Sequence, residues 1–178
     1  VAYGRGESGQ VERCGGWGMM VGDEGSGYAL GRGGLAAALR AADGRGPETR
    51  LLPLFLELLE IDTPRAIPPW VGRSAKAEVA ALARHVVRAA EAGDAVARSV
   101  LETEARELAL HAVALRHRLA PWSGEVTVVF YGGVLRTAIY AGMVTRALET
   151  GEGGFLVRTP VADAVTGALR YARAPADA

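Results

Sequence analysis

The sequence contains a single cysteine, Cys14, among its 178 residues. One thiol cannot form a disulfide within the chain, so the composition favours a protein of a reducing compartment. It cannot hold an iron–sulfur cluster either, unless a second chain supplies further ligands. The sequence also lacks an apolar run long enough to cross a membrane, and its N-terminus lacks a basic segment followed by an apolar core. These absences predict a cytoplasmic protein with no membrane partner.

An excess of one charge is lacking as well, because 20 Lys and Arg residues balance 20 Asp and Glu residues. No basic block or stripe runs along the chain, which argues against a nucleic-acid partner. Hydrophobic residues make up 49% of the sequence and charged residues 22%, which is typical of a folded domain rather than a disordered segment. The length suits one domain with a sizeable core, and we expect a single domain over residues 1–178.

Several common site motifs are also missing. The sequence has no G-x-x-x-x-G-K-[ST] phosphate loop. After Gly16-Trp17-Gly18 the next glycine, Gly22, comes one residue too late for the dinucleotide-binding pattern G-x-G-x-x-G. The three histidines, His85, His111 and His117, do not have the spacing of metal ligands, so no metal site is predicted.

Hydrophobic periodicity predicts an α/β domain with a mixed sheet and flanking helices. The predicted strands are Val1 to Arg5, Val11 to Cys14, a buried strand from Val126 to Tyr131, and Phe155 to Arg158. The predicted helices run from about Glu24 to Ala42, Glu48 to Glu60, Ser74 to Ala92, Asp94 to Leu119, Leu135 to Glu149 and Ala162 to Ala172. Three prolines predict that the segment from Ile61 to Trp70 is irregular.

The most unusual stretch is GGWGMMVGDEGSGYALG, from Gly15 to Gly31, with seven glycines in seventeen residues. Its apolar residues are unsuited to a flexible linker, so we expect a backbone that turns sharply and lets a ligand approach closely. Asp23 or Ser26 would cap the helix that follows, leaving free N–H groups of the first turn near the loop. A purely structural turn between a strand and a helix is the alternative interpretation.

The same residues carry a resemblance to a known family. GGWGMMVGDEGSGYALGR resembles the signature of the N-acetylglucosamine kinase branch of the BadF/BadG/BcrA/BcrD ATPase family. That resemblance implies a ribonuclease H-like, actin-like fold, of which this chain is similar to the C-terminal half. It also implies phosphorylation of an amino sugar, N-acetylglucosamine or glucosamine, with ATP and Mg²⁺. The oligomeric state stays open, with a homodimer as one option.

Family roles carried over by this resemblance assign sugar contacts to Gly16, Trp17, Gly18 and Asp23. For Asp23 the alternative is a helix cap, and for Trp17 it is an anchor in the core. Gly132 and Gly133, after the predicted buried strand, resemble the family's adenosine motif, although strand-Gly-Gly-helix is common in α/β folds. Arg136 would stack on adenine or reach a phosphate, with a solvated helix arginine as the alternative.

The resemblance also implies what this chain lacks. A phosphate-binding hairpin and the catalytic Asp belong to the N-terminal half of such kinases, and a second phosphate loop, Gly-Thr-Gly-Ser, would precede Val1. We therefore leave the catalytic residues unassigned and expect no kinase turnover from this chain alone. A non-catalytic sugar-binding or interaction module is the alternative function.

A last expectation concerns the sheet. In the resembled fold, the strand leading into Gly-Thr-Gly-Ser lies between the strand that begins near Val1 and the strand from Val126 to Tyr131. Without it, both flanking strands would present unpaired backbone groups. The sequence thus predicts a marginally stable or aggregation-prone chain, or one whose gap is filled by another segment.

Overall fold

The computed structural model describes residues 1–151, 153–160 and 165–166. The strands are β1 (Ala2–Arg5), β2 (Val11–Cys14), β3 (Val126–Val129) and β4 (Phe155–Arg158). The helices are α1 (Gly27–Ala42), α2 (Leu51–Leu58), α3 (Ile67–Arg73), α4 (Lys76–Ala81), α5 (Ala83–Glu91), α6 (Ala95–Arg118) and α7 (Ala138–Glu149). Two short 3₁₀ turns cover Pro64–Ala66 and Val134–Arg136. Most of the helix predicted over residues 162–172 lies outside the described residues.

The strands form two separate two-stranded sheets, so the prediction of one mixed sheet is wrong for the described part of the chain. Strands β1 and β2 make an antiparallel hairpin whose turn is closed by the Gly6 N–H donating to the Gln10 carbonyl at 2.9 Å. Strand β3 pairs in parallel with β4, with Val126 opposite Phe155. Residues of β3 alternate between half-buried and exposed, so the expectation of a fully buried strand is also wrong. Its outer face has no layer packed against it in the described structure.

A groove of about 600 Å³ separates the two sheets. We call it the strand groove; β1 and β3 lie along it, and its floor is formed by apolar side chains of α6 and α7. Among the described residues β1 pairs only with β2 and β3 only with β4. The two strands are therefore not joined directly, as the expectation of a gap between them requires.

The buried core is almost entirely helical. Within the described structure, Phe155 is the one fully buried core residue that a strand contributes. The largest completely buried side chains are Tyr140, Phe55, Leu30, Leu51, Ile67, Leu101 and Leu119. Helices α1 and α4 approach so closely that a Cβ on Gly31 would lie 2.0 Å from the Val79 carbonyl oxygen. Glycine is thus required at this crossing.

The predicted cap at Ser26 and the predicted start of a helix at Asp94 are both confirmed. Ser26 caps α1, because its hydroxyl accepts a hydrogen bond from the Ala29 N–H at 3.1 Å. Asp94 caps α6 by accepting from the Ala97 N–H at 2.8 Å. The other Asp94 oxygen accepts from the Arg50 N–H at 2.7 Å and from the Thr49 hydroxyl at 2.9 Å. One carboxylate therefore satisfies donors at the start of two helices.

Other boundaries differ from the prediction for local reasons. The proline-containing segment is irregular only up to the 3₁₀ turn at Pro64–Ala66: α3 begins at Ile67, and its prolines occupy the first positions, where the missing N–H costs nothing. Ser74 does not cap the next helix, because its hydroxyl donates to the Trp70 carbonyl at 2.7 Å and so lies at the end of α3. The predicted single helix to Ala92 is divided into α4 and α5 at Leu82.

Candidate functional site

The glycine-rich loop between β2 and α1 folds as a small backbone hairpin. The Trp17 N–H donates to the Gly22 carbonyl at 2.8 Å, and the Gly22 N–H donates to the Gly18 carbonyl at 2.9 Å. Gly16 and Gly18 have φ values of 70° and 99°, which disfavour any residue with a side chain. The hairpin carries Met20 and Val21 at its tip, 81% and 78% exposed.

Trp17 lies on the surface of this loop rather than in the core. It is 72% exposed, so the alternative that it anchors the core is wrong. The Arg13 guanidinium lies over its ring, 5.2 Å from the ring centroid, in a cation–π arrangement. Its indole ring also lies close to Gly22, where an added Cβ would come within 3.2 Å of the Trp17 Cδ1 atom. Trp17 therefore stands beside the residue that precedes Asp23.

Asp23 faces a shallow cleft of about 180 Å³, which we call the Asp23 cleft. Residues 19–24 form one side of it, and Tyr28, Ala29, Arg32 and Glu104 form the other. The Asp23 side chain is 18% exposed, and its carboxylate forms an ion pair with the Lys76 ammonium group at the start of α4. Since Ser26 is the cap of α1, the carboxylate of Asp23 does not serve as the helix cap. It is held at the mouth of the cleft instead.

Lys76 and Glu104 are two residues of this region that the sequence interpretation missed. Lys76 lies 53 positions from Asp23 in the chain, and Glu104 comes from the middle of α6. No local pattern reports such contacts, because they depend on how α4 and α6 pack around α1. Glu104 lines the cleft and Lys76 pairs with Asp23, so they add two charges to the three of the sequence signature, Asp23, Glu24 and Arg32.

His111 supports the start of the loop from below. A Cβ on Gly15 would lie 2.5 Å from the His111 Nε2 atom, so the imidazole packs directly under that glycine. Burial lowers the pKa of His111, while Glu24 acts in the opposite direction. The ring is therefore neutral at neutral pH, and its 3.8 Å approach to the Glu24 carboxylate is a polar contact rather than an ion pair.

A second and larger cavity, of about 650 Å³, follows β3, and we call it the Gly132 pocket. Residues 130–132, Leu135, Arg136, Ala141, Gly142, Thr145 and residues 157–160 line it. Gly132 has φ 122°, and a Cβ added at Gly132, Gly133 or Gly142 would meet no atom within 4 Å. The backbone at these glycines is thus open to an approaching ligand.

Arg136 lines the Gly132 pocket from the 3₁₀ turn, so the predicted start of the helix at Leu135 is wrong. Helix α7 begins only at Ala138. Arg158, at the end of β4, is a second cation in the pocket wall and was not predicted. Its position could have been inferred, because parallel strands bring their carboxyl ends to one edge of a sheet.

Among the described residues that line the Gly132 pocket, none carries a carboxylate. Across the described part of the chain, no group of three or more His, Cys, Asp or Glu residues is arranged to hold a metal ion. The residues present thus fit a nucleotide's base and phosphates but do not supply a magnesium site.

Among the described residues, none of the helices combines the length and apolarity needed to cross a lipid bilayer.

Gly25 and its neighbours link the residues that border the two cavities. The Tyr140 hydroxyl of α7 donates to the Gly25 carbonyl at 3.2 Å. Ala141 and Gly142, the next residues of that helix, line the Gly132 pocket. A Cβ on Gly27 would lie 3.4 Å from Val134, which follows the glycine pair. The segment that leads from the Asp23 cleft into α1 therefore touches the structure that forms the pocket.

Comparison with known proteins assigns this chain to a family. The sequence profile of the BadF/BadG/BcrA/BcrD ATPase family matches residues 1–172. This chain belongs to that family. The predicted resemblance is thereby confirmed, and a fold similar to that of the family's kinases is expected of its members.

Two curated relatives of this BadF/BadG/BcrA/BcrD ATPase family member are sugar kinases. An N-acetylmuramic acid/N-acetylglucosamine kinase from Clostridium acetobutylicum is 37% identical over 142 residues, which cover 79% of this chain and 46% of the relative. An N-acetyl-D-glucosamine kinase from Dictyostelium discoideum is 37% identical over 70 residues, covering 39% of this chain and 22% of that one. The chain thus spans about half or less of the length of the curated relatives it matches.

A solved structure gives the same result for the fold. A candidate N-acetylglucosamine kinase from Chromobacterium violaceum superposes with a TM-score of 0.73 at 27% identity, covering 92% of this chain and 53% of that one. The α/β class that the sequence predicted is confirmed at this level, with helices and small sheets in an arrangement consistent with an actin-like ATPase fold.

Proposed function

We propose that this chain supplies one wall of the sugar site and one wall of the nucleotide site of an ATP-dependent kinase. Its substrate would be an amino sugar, N-acetylglucosamine or glucosamine. The observation that supports this most directly is the junction at Gly25. The Asp23 cleft lies on one side of it, and helix α7, which borders the Gly132 pocket, holds it from the other. Phosphoryl transfer requires two substrates held in a fixed relation, and one shared segment between their sites provides that relation.

In the Asp23 cleft the carboxylate of Asp23 accepts hydrogen bonds from sugar hydroxyls. A carboxylate is an acceptor only, and hydrogen bonds to an ionised group are stronger than those between neutral groups. Lys76 forms an ion pair with this carboxylate and limits its rotation. The exposed Trp17 ring offers an apolar face beside the cleft, suited to the acetamido methyl group or to the apolar face of a sugar ring.

In the Gly132 pocket the glycine backbone lets the adenosine lie close to the chain, while the two arginines provide charge for phosphate oxygens. Leu135, Val157 and Phe130 give the pocket its apolar surface. Arg136 and Arg158 are placed to meet the polyphosphate or to stack on the base. Bound ATP would supply the phosphoryl group that is transferred. The described residues that line the pocket provide no carboxylate to bind magnesium.

We assign no catalytic base to the described residues. This chain covers 46% of the Clostridium relative and 53% of the solved structure, and the family resemblance assigns the catalytic Asp and the phosphate hairpin to the other half. The expected consequence is that the isolated chain binds ligands without turnover. We would expect less than one ADP per minute per chain in an ADP-release assay with amino sugars, and faster release would contradict this division of labour.

Calorimetric titration with N-acetylglucosamine tests the assignment of Asp23. The wild-type chain should bind the sugar, and Asp23→Ala should weaken binding by about tenfold or more, as expected for loss of a charged hydrogen-bond partner. Asp43→Ala removes an exposed carboxylate that forms an ion pair with Arg45, two residues further along the chain, so it serves as the matched control and should bind as wild type does. Titration with N-acetylmuramic acid and glucosamine would show which amino sugar is preferred.

If wild type and Asp23→Ala both fail to bind any amino sugar, the sugar-site proposal is wrong. The alternative function, a non-catalytic interaction module, would then remain. Titration with an ATP analogue separates the two cavities, because Arg136→Ala should weaken nucleotide binding and leave sugar binding unchanged.

A further inference from the structure

Glu104 contacts the Asp23 loop from a different part of the chain. Its side chain lies in the middle of α6, half-buried at the floor of the Asp23 cleft. One carboxylate oxygen accepts a hydrogen bond from the Gly25 N–H at 2.8 Å, across 79 positions of sequence. Gly25 is two residues after Asp23 and directly precedes the cap of α1.

Both backbone polar groups of Gly25 form hydrogen bonds with side chains of α6 and α7. Glu104 holds its N–H, and the buried Tyr140 hydroxyl holds its carbonyl at 3.2 Å. Its φ of 72° is one that a glycine adopts without strain, and an added Cβ would lie 2.5 Å from Leu108. The backbone here is thus restricted by close packing and by two side-chain hydrogen bonds, one of which is made by the Glu104 carboxylate.

We propose that Glu104 is a positioning residue of the Asp23 cleft, which holds the Gly25 N–H so that the carboxylate of Asp23 points at a bound sugar. The proposal rests on the sugar-binding role given to Asp23 above. Two rigid hydrogen bonds at Gly25 leave the short link from Gly25 to Asp23 little freedom to rotate. Removing the Glu104 acceptor leaves the Gly25 N–H without its partner and frees that link.

The ionisation of Glu104 supports a role beyond packing. Burial raises the pKa of its carboxyl, and the nearby Glu107 and Glu24 carboxylates act in the same direction. The Gly25 N–H and Arg32 oppose the shift without cancelling it. A raised folded-state pKa means that the protonated form is favoured in the fold, so its stabilising effect is lost as the pH rises through that pKa. At neutral pH the ionised side chain is therefore a less stable choice than a neutral one of equal shape.

The test compares four forms of the chain: wild type, Glu104→Gln, Glu104→Ala and the control Glu107→Gln. Glu107 is exposed one turn further along α6, so its substitution removes the same charge without touching Gly25. For each form we would measure the unfolding temperature, the amide resonances of Gly25 and Asp23, and the dissociation constant for N-acetylglucosamine. The last measurement would be repeated from neutral to acidic pH.

We expect Glu104→Ala to weaken sugar binding by about tenfold, and to shift the amide resonances of both Gly25 and Asp23. Glu104→Gln keeps an acceptor of the same size, so it should be at least as stable as wild type and weaken binding by a smaller factor. Wild-type affinity should fall as Glu104 becomes protonated, and Glu104→Gln should remove that part of the pH profile. Glu107→Gln should bind within about twofold of wild type.

Equal affinity of wild type and Glu104→Ala would overturn the proposal, as would an unchanged Asp23 resonance in Glu104→Ala. A wild-type chain that binds no amino sugar would refute the sugar-site proposal instead. The resonances would then still decide whether Glu104 positions Asp23, because they require no ligand.

Discussion

The helices and the strands of this chain differ in how much of their apolar surface is buried. The seven helices of the described residues enclose a continuous core, in which side chains such as Phe55 and Leu101 have no exposed surface. Of the four described strands, three contribute no fully buried core residue, and β1 and β3 face each other across the strand groove. Burial is the main source of folding stability, so the helices carry it and the sheets depend on them.

This comparison shows which parts of the chain are held in place by contacts within the chain itself. The glycine loop and the Gly25 junction are fixed by the helical part, through Ser26, Glu104 and Tyr140. The strand groove, by contrast, is lined by backbone that has hydrogen-bonding capacity to spare on one side. We expect ligand contacts at the Asp23 cleft to be preserved even where the sheets are incomplete.

The largest expected effect is a cavity in the helical core. Phe55→Ala should lower the free energy of unfolding by about 3–5 kcal/mol, because Phe55 has no exposed surface and its loss leaves a void between α1 and α2. Val128→Ala, in the half-buried strand β3, is the comparison and should cost about 1 kcal/mol or less. Urea unfolding followed by circular dichroism measures both. Equal costs would show that the sheets are as well packed as the helices.

The second effect concerns the shared cap at Asp94. Asp94→Ala should cost about 2–4 kcal/mol, because it removes one helix cap and leaves the donors of Arg50 and Thr49 unpaired. Asp94→Asn keeps an acceptor oxygen for the cap and should cost less. The same urea titration measures both variants at pH 7.

Asp94 also predicts a dependence on pH. Burial by itself raises the pKa of its carboxyl, but hydrogen bonds from Ala97, Arg50 and Thr49 outweigh burial and leave the pKa below its ordinary value. Its contribution is thus present above the unfolded pKa of about 3.9 and is lost as the pH falls through the folded pKa. The difference between wild type and Asp94→Ala should shrink in that acidic range. A constant difference would contradict the assigned role.

A third effect concerns association through the strand groove. Val129 lies on β3 along the groove and is 42% exposed. Val129→Lys should increase the monomer fraction in analytical ultracentrifugation, because a lysine at an open strand edge discourages pairing with another chain. Val11→Lys places the same charge on β2, away from the groove, and should change the monomer fraction less.

The expectation of a marginally stable chain is tested in the same samples. A wild-type chain that is monomeric when dilute and unfolds cooperatively above about 60 °C, the upper end for ordinary domains, would contradict it. Such a result would mean that the helical core alone stabilises the fold and that the groove needs no occupant.

The smallest effect is expected where α6 meets the hairpin at the surface. The Arg118 guanidinium donates to the Arg13 carbonyl at 3.0 Å and forms an ion pair with Glu12. Both side chains are well exposed, so Arg118→Ala should change the free energy of unfolding by about 0.5 kcal/mol or less. A larger loss in urea unfolding would mean that the hairpin depends on this contact more than on its packing against α6.

Features with a local signal were predictable from the sequence. The hairpin of β1 and β2, the bounds of β4 and the caps at Ser26 and Asp94 follow from glycine, β-branched and capping residues within a few positions. Helix α3 also had a local signal that was misread, because prolines at the start of a helix are favourable.

The contacts that shape the candidate site had no such signal. Lys76 reaches Asp23, and Glu104 reaches Gly25, only because α4 and α6 pack beside α1. The separation into two sheets was hidden for a related reason, since strand order depends on contacts between distant segments. The sequence thus predicted the residues of the glycine-rich loop, but not the charged residues Lys76 and Glu104 that hold it in place.

Helix α6 sets the spacing between several contacts that support the glycine-rich loop. Its 24 residues span about 36 Å, and along that length it meets the start of α2 at Asp94, Gly25 at Glu104 and Gly15 at His111. Each added residue in a helix advances the chain by 1.5 Å and turns it by about 100°. One residue inserted between Glu104 and His111 would keep Glu104 in phase with Gly25 and put His111 out of phase with Gly15. The length of this helix, and not only its composition, therefore sets which parts of the glycine loop are supported.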